Sequence, residues 1–271
     1  MMAHPFERLL LASEHSEYDS GAEAVAFALA KRCGLPLAGV LPVLSNAEYE
    51  MVAPDVAARA DAHAAAHRAE LEATARAHGV AFELRVRHGA EIDAEIVAEA
   101  RERAADLIVI RRRGKRGLLA KLLVGEMVGK VVAQAPCSVL VAPRGAAMWQ
   151  RGVLLGLEAQ APDRGSVARA AAIAAACSLP LRLVCVAADA AHRADAEQTL
   201  AQALALARTL HASSDAELRV GRVPESLVAA ARDAGADLLV ITRDGATAPK
   251  ILGLAECPVL VHVETSTQGT T

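Results

Sequence analysis

Three stretches of this sequence occur twice in the same order, and this internal repeat constrains the fold more than any other feature. The matching stretches are residues 30–37 and 174–181, residues 105–110 and 236–241, and residues 138–141 and 258–261. The offset between the copies falls from 144 to 131 and then to 120 residues. A constant order with a shrinking offset indicates a duplicated domain whose second copy has lost two segments.

The length and the composition suit two α/β domains. A chain of 271 residues can form two domains with separate cores. Hydrophobic residues make up 54% of the chain but aromatic residues only 2%. The cores must therefore consist of Ala, Val, Leu and Ile, which suits helices packed closely on a parallel sheet. The net charge of −3 gives no general attraction to nucleic acid or to a membrane surface.

The cysteines and the N-terminal residues indicate a cytoplasmic protein. The number of cysteines is odd, no Cys-x-x-Cys pair occurs, and all of them lie in apolar stretches: Cys33, Cys137, Cys177, Cys185 and Cys257. We expect buried free thiols in a reducing compartment. No basic segment followed by an apolar one opens the sequence, so no signal peptide is expected. No apolar stretch approaches the roughly 18 residues of a membrane span.

Short apolar runs alternate with helical patterns in both copies, which predicts parallel strands joined by helices on both faces of a sheet. The first copy predicts strands near residues 8–12, 37–44, 82–87, 106–110 and 139–142, and helices near 20–33, 54–78, 92–103 and 118–134. The second predicts strands near 153–157, 181–187, 217–220, 237–241 and 259–263, and helices near 165–177, 194–210 and 226–234. The predicted organisation is a domain at 1–143, a linker at 144–150, a degenerate domain at 151–264 and a disordered tail at 265–271.

Three motifs in the first copy resemble those of tandem universal stress proteins of the UspA type. Glu14 ends the first strand within Leu10–Glu17, Ala104–Ile110 precedes a basic glycine loop, and Leu122–Gly125 is followed by a helix and then by Ala135–Val141. The resemblance implies two doubly wound, Rossmann-like domains, each with a five-stranded parallel sheet of order 3-2-1-4-5. Ligands of such folds bind where the strand order reverses, between strands one and four. That position brings Glu14 close to residues 111–125.

The resemblance also implies a ligand site in the first domain. Nucleotide-binding members of the family resemble Gly-x2-Gly-x9-Gly-Ser/Thr after strand four. The glycines of this motif let backbone N–H groups approach phosphate at a helix N-terminus. In this chain Arg111 stands at the first glycine position of the motif. Gly114 and Gly125 stand at the second and third positions, separated by ten residues instead of nine. The residues that this site would include are Glu14, Ser16, Arg111, Arg113, Gly114, Gly117, Gly125 and Glu126.

Glu126 stands at the Ser/Thr position of the motif and is the departure with the largest expected effect. A carboxylate in the first helical turn suits the helix dipole but places a negative charge where a polyphosphate would sit. Like charges ~4 Å apart cost about 4 kcal/mol at an effective dielectric near 20. A micromolar complex is worth only about 8 kcal/mol. The five basic residues nearby offset this charge, form a solvated loop, or pair with Glu126 and Glu14; they are Arg111, Arg112, Arg113, Lys115 and Arg116.

The second copy has lost most of the segment that would hold phosphate. In the first copy strands four and five are 29 positions apart, from Ile110 to Val139. In the second copy they are only 18 positions apart, from Ile241 to Val259. Residues 242–249 contain one glycine where the motif has three. Glu158 stands at the position of Glu14. We expect a structural role for this domain, as a partner surface or a vestigial pocket.

No other motif indicates catalysis. His63 and His67 share a helix face and either bind a metal or lie on a solvated face, but no third ligand is evident. There is no Gly-x-Ser-x-Gly motif, so no catalytic residue is assigned. Nor does any aromatic platform accompany the basic loop, so nucleic acid is not an expected partner.

The favoured interpretation is a cytoplasmic universal stress protein without enzymatic activity that acts by protein association and has at most a modified anion or nucleotide pocket in its first domain. The resemblance implies that the last strands, 139–142 and 259–263, pair the two domains within the chain, and a further homodimer is expected. The alternative is a protein that binds ATP in the first domain only and hydrolyses it slowly. A sensor for another small ligand in the same crevice is a third possibility.

Overall fold

The computed structural model describes residues 4–14, 19–45, 54–112, 125–159, 163–243 and 247–264. The described residues fall into two compact units. The first unit contains described residues 6–112 and 125–148, and the second contains the described residues from 149 onward. No described helix is both long enough and apolar enough to cross a membrane.

The first unit alternates strands and helices, as the sequence predicts. Its strands are β1 Leu9–Ala12, β2 Leu37–Leu44, β3 Phe82–Gly89, β4 Leu107–Arg111 and β5 Ser138–Ala142. Its described helices are α1 Ser20–Cys33, α2 Pro54–His78, α3 Ile92–Glu102 and α4 Glu126–Gln134. The strands pair in parallel in the order β3-β2-β1-β4-β5.

The second unit repeats this arrangement. Its strands are β6 Val153–Leu157, β7 Leu181–Ala187, β8 Ser214–Val220, β9 Leu238–Thr242 and β10 Val259–His262. Its described helices are α5 Arg164–Cys177, α6 Arg193–Leu210, α7 Val223–Asp233 and α8 Ala248–Leu254. The strands pair in parallel in the order β8-β7-β6-β9-β10. The α/β class and the parallel strands are confirmed, and the division into two separate sheets stays a prediction.

Three elements differ from the sequence prediction. Strand β8 begins at Ser214 instead of residue 217, because its first residues are polar and no apolar run marks them. Helix α8 was not predicted, since seven residues are too few to show a helical period. Of the helix predicted at 118–134, the described residues contain 126–134. The predicted tail at 265–271 lies outside the described residues.

Several strands are buried along their whole length. Every residue of β1, β4, β5 and β6 is buried, so these strands show no alternation of apolar and polar residues. This pattern is typical of a parallel sheet covered by helices on both faces. All five cysteines are free thiols, as the sequence predicts; three of them are buried, but Cys177 and Cys257 are partly exposed, so the prediction of burial is wrong for these two.

The aspartate of each repeated Ala-Asp motif binds the backbone just before the neighbouring strand. The Asp106 carboxylate accepts hydrogen bonds from the backbone N–H groups of Glu7 at 2.7 Å and Arg8 at 3.0 Å, just before β1. Asp237 accepts hydrogen bonds from the three backbone N–H groups of residues 150–152, just before β6. This motif is therefore structural in both units.

Two equivalent turns carry glycine in one unit and another residue in the other. After α1, Gly34 has φ +63°, whereas the equivalent Ser178 after α5 has φ +55°. After α3, Ala104 has φ +48°, whereas the equivalent Gly235 after α7 has φ +62°. The left-handed conformation costs a residue with a Cβ roughly 1–2 kcal/mol. Each unit therefore has one turn in which a residue with a Cβ adopts the left-handed conformation, and the equivalent turn of the other unit has glycine there.

We predict that Ser178→Gly and Ala104→Gly each raise the free energy of unfolding by about 0.5–1 kcal/mol. The relief of left-handed strain exceeds the entropy that glycine gains in the unfolded chain. The reciprocal variants Gly34→Ser and Gly235→Ala are the matched controls and should lower it by a similar amount. Urea unfolding followed by circular dichroism measures all four changes. A loss of stability in both glycine variants would contradict this explanation.

Candidate functional site

The crevice of the first unit lies at the carboxyl ends of β1 and β4. These two strands are direct neighbours, with Ala12 paired to Ile110, and the strand order reverses between them. Glu14 follows β1 by two residues, and Arg111 is the last residue of β4. The structure therefore brings together two predicted site residues that stand 97 positions apart in sequence.

Arg111 is buried in this crevice between two carboxylates. Its side chain is only 3% exposed. The Nη2 atom donates to Glu14 Oε2, and the Nε atom lies 3.2 Å from Asp19 Oδ1. Asp19 is itself 1% exposed. Arg111 is thus neither part of a solvated loop nor a free cation on the surface, but the centre of a buried ion-pair cluster.

The cluster retains some unused hydrogen-bonding capacity. Within the described part of the chain, Arg111 Nε and Nη1 and Glu14 Oε1 are buried and have no hydrogen-bond partner. A guanidinium carries five donors and a carboxylate accepts several bonds, so one ion pair does not satisfy either group. These atoms are where a polar group entering the crevice would make contact.

Sequence reasoning missed Asp19, which looks like an ordinary cap at the start of α1. Aspartate is favoured at this position because its carboxylate accepts bonds from the first helical N–H groups. Here the side chain of Asp19 makes no such cap bond. It lies beside Arg111 instead, and only the packed structure shows this.

A second polar cluster joins β1 to helices α1 and α2. Ser13 Oγ donates to Glu23 Oε1 at 2.8 Å and lies 2.7 Å from His67 Nε2. The same His67 nitrogen is 3.2 Å from Glu23 Oε1. Ser13 is fully buried, and His67 is 5% exposed. The prediction of a solvated face is therefore wrong for His67, although His63 is exposed.

The sequence does contain a signal for the burial of His67. Ala64, Leu71 and Ala75 form the buried stripe of α2, and His67 lies on the same stripe, three residues after Ala64 and four before Leu71. The alanine-rich composition of the helix hides this stripe, since small residues alternate with charged ones on every face.

The contacts of His67 favour its charged form. Burial lowers the pKa of the imidazole, but the hydrogen bond and the charge of Glu23 raise it, and so do Glu70 and Asp19. The net pKa is raised. The Ser13 hydroxyl donates its hydrogen to Glu23, and Ser13 is fully buried. The Ser13–His67 pair therefore lacks the hydrogen bond and the access that a hydrolase nucleophile requires.

The remaining predicted site residues lie at the start of α4 or outside the described residues. Gly125 is the N-cap of α4, and as a glycine it supplies no side-chain cap. The Glu126 side chain is 87% exposed and lies 3.7 Å from Lys130 Nζ. Water therefore screens its charge more than the sequence argument assumes. The four that lie outside the described residues are Ser16, Arg113, Gly114 and Gly117.

The family follows from a sequence comparison. The sequence pattern of the Universal stress protein family matches residues 5–143, slightly more than half of the chain. The chain belongs to the universal stress protein family. The second unit lies beyond the matched residues. No curated protein matches the chain significantly.

Solved structures confirm the fold along nearly the whole chain. A universal stress protein from Archaeoglobus fulgidus is similar to this chain, with 14% identity and a TM-score of 0.76. The similarity covers 98% of this chain and 99% of the A. fulgidus chain. A functionally unknown protein from Pseudomonas aeruginosa is similar over 96% and 93%, with 18% identity and a TM-score of 0.73. A shorter universal stress protein from A. fulgidus, solved in complex with dAMP, covers 42% of this chain and 98% of its own, with 20% identity and a TM-score of 0.39.

We predict that Arg111→Leu lowers the free energy of unfolding by about 3–5 kcal/mol. The substitution leaves the buried Asp19 and the partly buried Glu14 without their shared cation. The matched control is Arg151→Leu, because Arg151 also pairs with an aspartate, Asp237, but is 70% exposed. That control should change stability by less than about 0.5 kcal/mol. Equal effects in urea unfolding would show that burial of Arg111 does not matter.

We also predict that His67 makes the protein more stable in acid. Its raised pKa means that the stabilising contribution is complete below the unfolded-state pKa of about 6.5 and is lost as pH rises through the folded-state pKa. The stability lost in His67→Gln should therefore be larger near pH 5.5 than near pH 8.5. His63→Gln, in an exposed position of the same helix, is the control. A pH-independent effect of His67→Gln would contradict the ionic role.

Proposed function

We propose that this universal stress protein acts by binding other proteins and not by catalysis, and that its first-unit crevice does not hold a nucleotide. The observation that supports this proposal is the ion pair between Glu14 and Arg111 at the point where the strand order reverses. The carboxylate that the family resemblance places near the base or ribose is already bound to a cation of the same chain.

The energy of the cluster indicates why a nucleotide is a poor competitor. Drawing Glu14 away from Arg111 exposes each charge to a partly apolar surrounding, and breaking a buried pair costs about 3–5 kcal/mol. That is a large part of the roughly 8 kcal/mol of a micromolar complex. Glu126 adds a smaller obstacle than its position suggests, because its carboxylate is mostly in water.

The alternative proposal is a first unit that binds ATP and hydrolyses it slowly. Two observations favour it. The N-cap of α4 is a glycine, which supplies no side-chain cap, so the backbone donors of the first turn can approach an anion. Arg111 also has buried donor atoms without hydrogen-bond partners among the described residues. In this alternative the guanidinium turns from Glu14 to a phosphate.

Calorimetric titration with ATP and Mg²⁺ distinguishes the two proposals. The wild-type chain should show no binding up to several millimolar ATP. The double variant Glu14→Gln/Arg111→Gly, which removes both charges and restores a glycine of the family motif, should bind ATP below 1 mM, at about −4 kcal/mol or better. Glu158→Gln/Thr242→Gly is the matched change in the second unit and should gain nothing. Sub-millimolar binding by the wild-type chain would establish the alternative.

Association and location complete this proposal. Strands β5 and β10 stand last in the strand order of their units and are apolar, and apolar strands in this position favour pairing with a further strand. We therefore propose pairing of the two units and a homodimer, which the oligomeric state in solution tests. The five free thiols support a reducing, cytoplasmic location.

A further inference from the structure

Two buried polar atoms of the first-unit crevice have no hydrogen-bond partner among the described residues. They are Arg111 Nη1, which is a donor, and Glu14 Oε1, which is an acceptor. The other nitrogen of the guanidinium fork, Nη2, donates to the other carboxylate oxygen, Oε2. A buried donor or acceptor that stays unpaired loses the free energy of its hydrogen bonds to water. The ion pair therefore has one donor and one acceptor for a further polar group.

These two atoms lie at the place where an open parallel sheet binds its ligands. The strand order of the first unit reverses between β1 and β4, and the two side chains follow the carboxyl ends of these strands. Arg111 is buried, whereas the Glu14 side chain is 20% exposed. Glu14 is thus the more accessible partner, and a small polar group is expected to approach the pair from its side.

The charges around the pair do not favour a charged ligand. Arg111 contributes one positive charge, and Glu14 and Asp19 contribute one negative charge each. The three side chains together carry an excess of negative charge, which repels an anion. A cation is no better suited, because the guanidinium beside Glu14 is itself positive and offers only donors. A neutral ligand avoids both penalties.

A primary carboxamide is the neutral group that matches the two atoms. Its carbonyl oxygen accepts a hydrogen bond, and its NH2 group donates one. The oxygen and the nitrogen are attached to the same carbon, so one planar group can contact a donor and an acceptor that lie side by side. Both bonds would have an ionised partner, and such bonds are stronger than those between neutral groups.

The second unit does not have this combination of groups. Thr242 stands at the position of Arg111, at an offset of 131 residues. Its hydroxyl lies 3.4 Å from Glu158 Oε1. A hydroxyl has a single hydrogen to donate, whereas a guanidinium has five. The equivalent position of the second unit therefore serves as an internal control for the first.

We propose that the first-unit crevice binds a neutral primary carboxamide, with its carbonyl oxygen against Arg111 Nη1 and its NH2 group against Glu14 Oε1. The carboxamide belongs either to a free small molecule or to a glutamine or asparagine side chain of a partner protein. The proposal rests on the proposed function, because a nucleotide in the crevice would occupy the same atoms.

NMR titration of the full, 15N-labelled chain tests the proposal, with the side-chain Nε–H signal of Arg111 as the reporter. Butyramide should shift this signal with a Kd below about 10 mM. Three compounds of similar size are the ligand controls: butyrate is an anion, butylammonium is a cation, and 1-butanol lacks the carboxamide. Each should bind at least about tenfold more weakly than butyramide.

A matched pair of variants locates the site. Glu14→Gln keeps the size of the side chain but removes its charge, and it should weaken butyramide binding about tenfold. Glu158→Gln is the same change at the equivalent position of the second unit, and it should bind butyramide as the wild type does. Circular dichroism confirms that both variants are folded before they are compared.

Butyramide binding that is weakened in Glu14→Gln and retained in Glu158→Gln establishes the site. The proposal is overturned if the Arg111 signal does not shift at about 100 mM butyramide, which would leave water as the partner of both atoms. Equal binding of any of the three control compounds, or an unchanged Kd in Glu14→Gln, would also overturn it. ATP is titrated separately: sub-millimolar ATP binding refutes the proposed function, whereas the butyramide result decides the present proposal.

A pair of peptides identifies the source of the carboxamide. The probes are a tripeptide with a central glutamine, capped at both ends without a primary amide, and its counterpart with glutamate. If the glutamine peptide binds at least as tightly as butyramide, the group comes from a partner protein. If butyramide binds and neither peptide does, the ligand is a free small molecule. Equal binding of the two peptides would overturn the proposal, because the carboxamide would then not be recognised.

Discussion

A positive charge buried at the end of β4 constrains the first unit more than any other interaction. Arg111 is 3% exposed, and a guanidinium cannot lose its proton to escape the cost of burial. It therefore requires carboxylates nearby, and the chain supplies Glu14 after β1 and Asp19 before α1. This requirement holds Glu14 and the start of α1 against the end of β4.

The two repeats have different residues at the end of their fourth strands, Arg111 in the first and Thr242 in the second. In the first, arginine and two carboxylates form a compact cluster at the crevice. In the second, Thr242 replaces the arginine, and the aspartate equivalent to Asp19, Asp163, caps its helix instead of pairing with a cation. The equivalent aspartates thus have different partners in the two units. Duplication of the domain permits this, because one copy maintains the fold while the other changes its site.

The sequence predicts the order of the elements because buried parallel strands and alanine-rich helices have distinct patterns. It also predicts that Glu14 and Arg111 approach each other, since both follow neighbouring strands of the doubly wound order. It does not reveal that the Arg111 side chain is buried, that the Asp19 side chain lies beside Arg111 instead of capping α1, or that His67 is buried. Those outcomes depend on which charges the packed helices bring within a few ångströms, and no local pattern encodes such distances.

A double-mutant cycle between positions 14 and 111 tests most directly whether the ion pair organises the first crevice. The free energies of unfolding of the wild type, Glu14→Gln, Arg111→Gln and the double variant give the coupling between the two side chains. A buried, charge-assisted pair predicts a coupling of about 1.5–3 kcal/mol. A coupling within about 0.5 kcal/mol of zero, as exposed ion pairs give, would contradict the account.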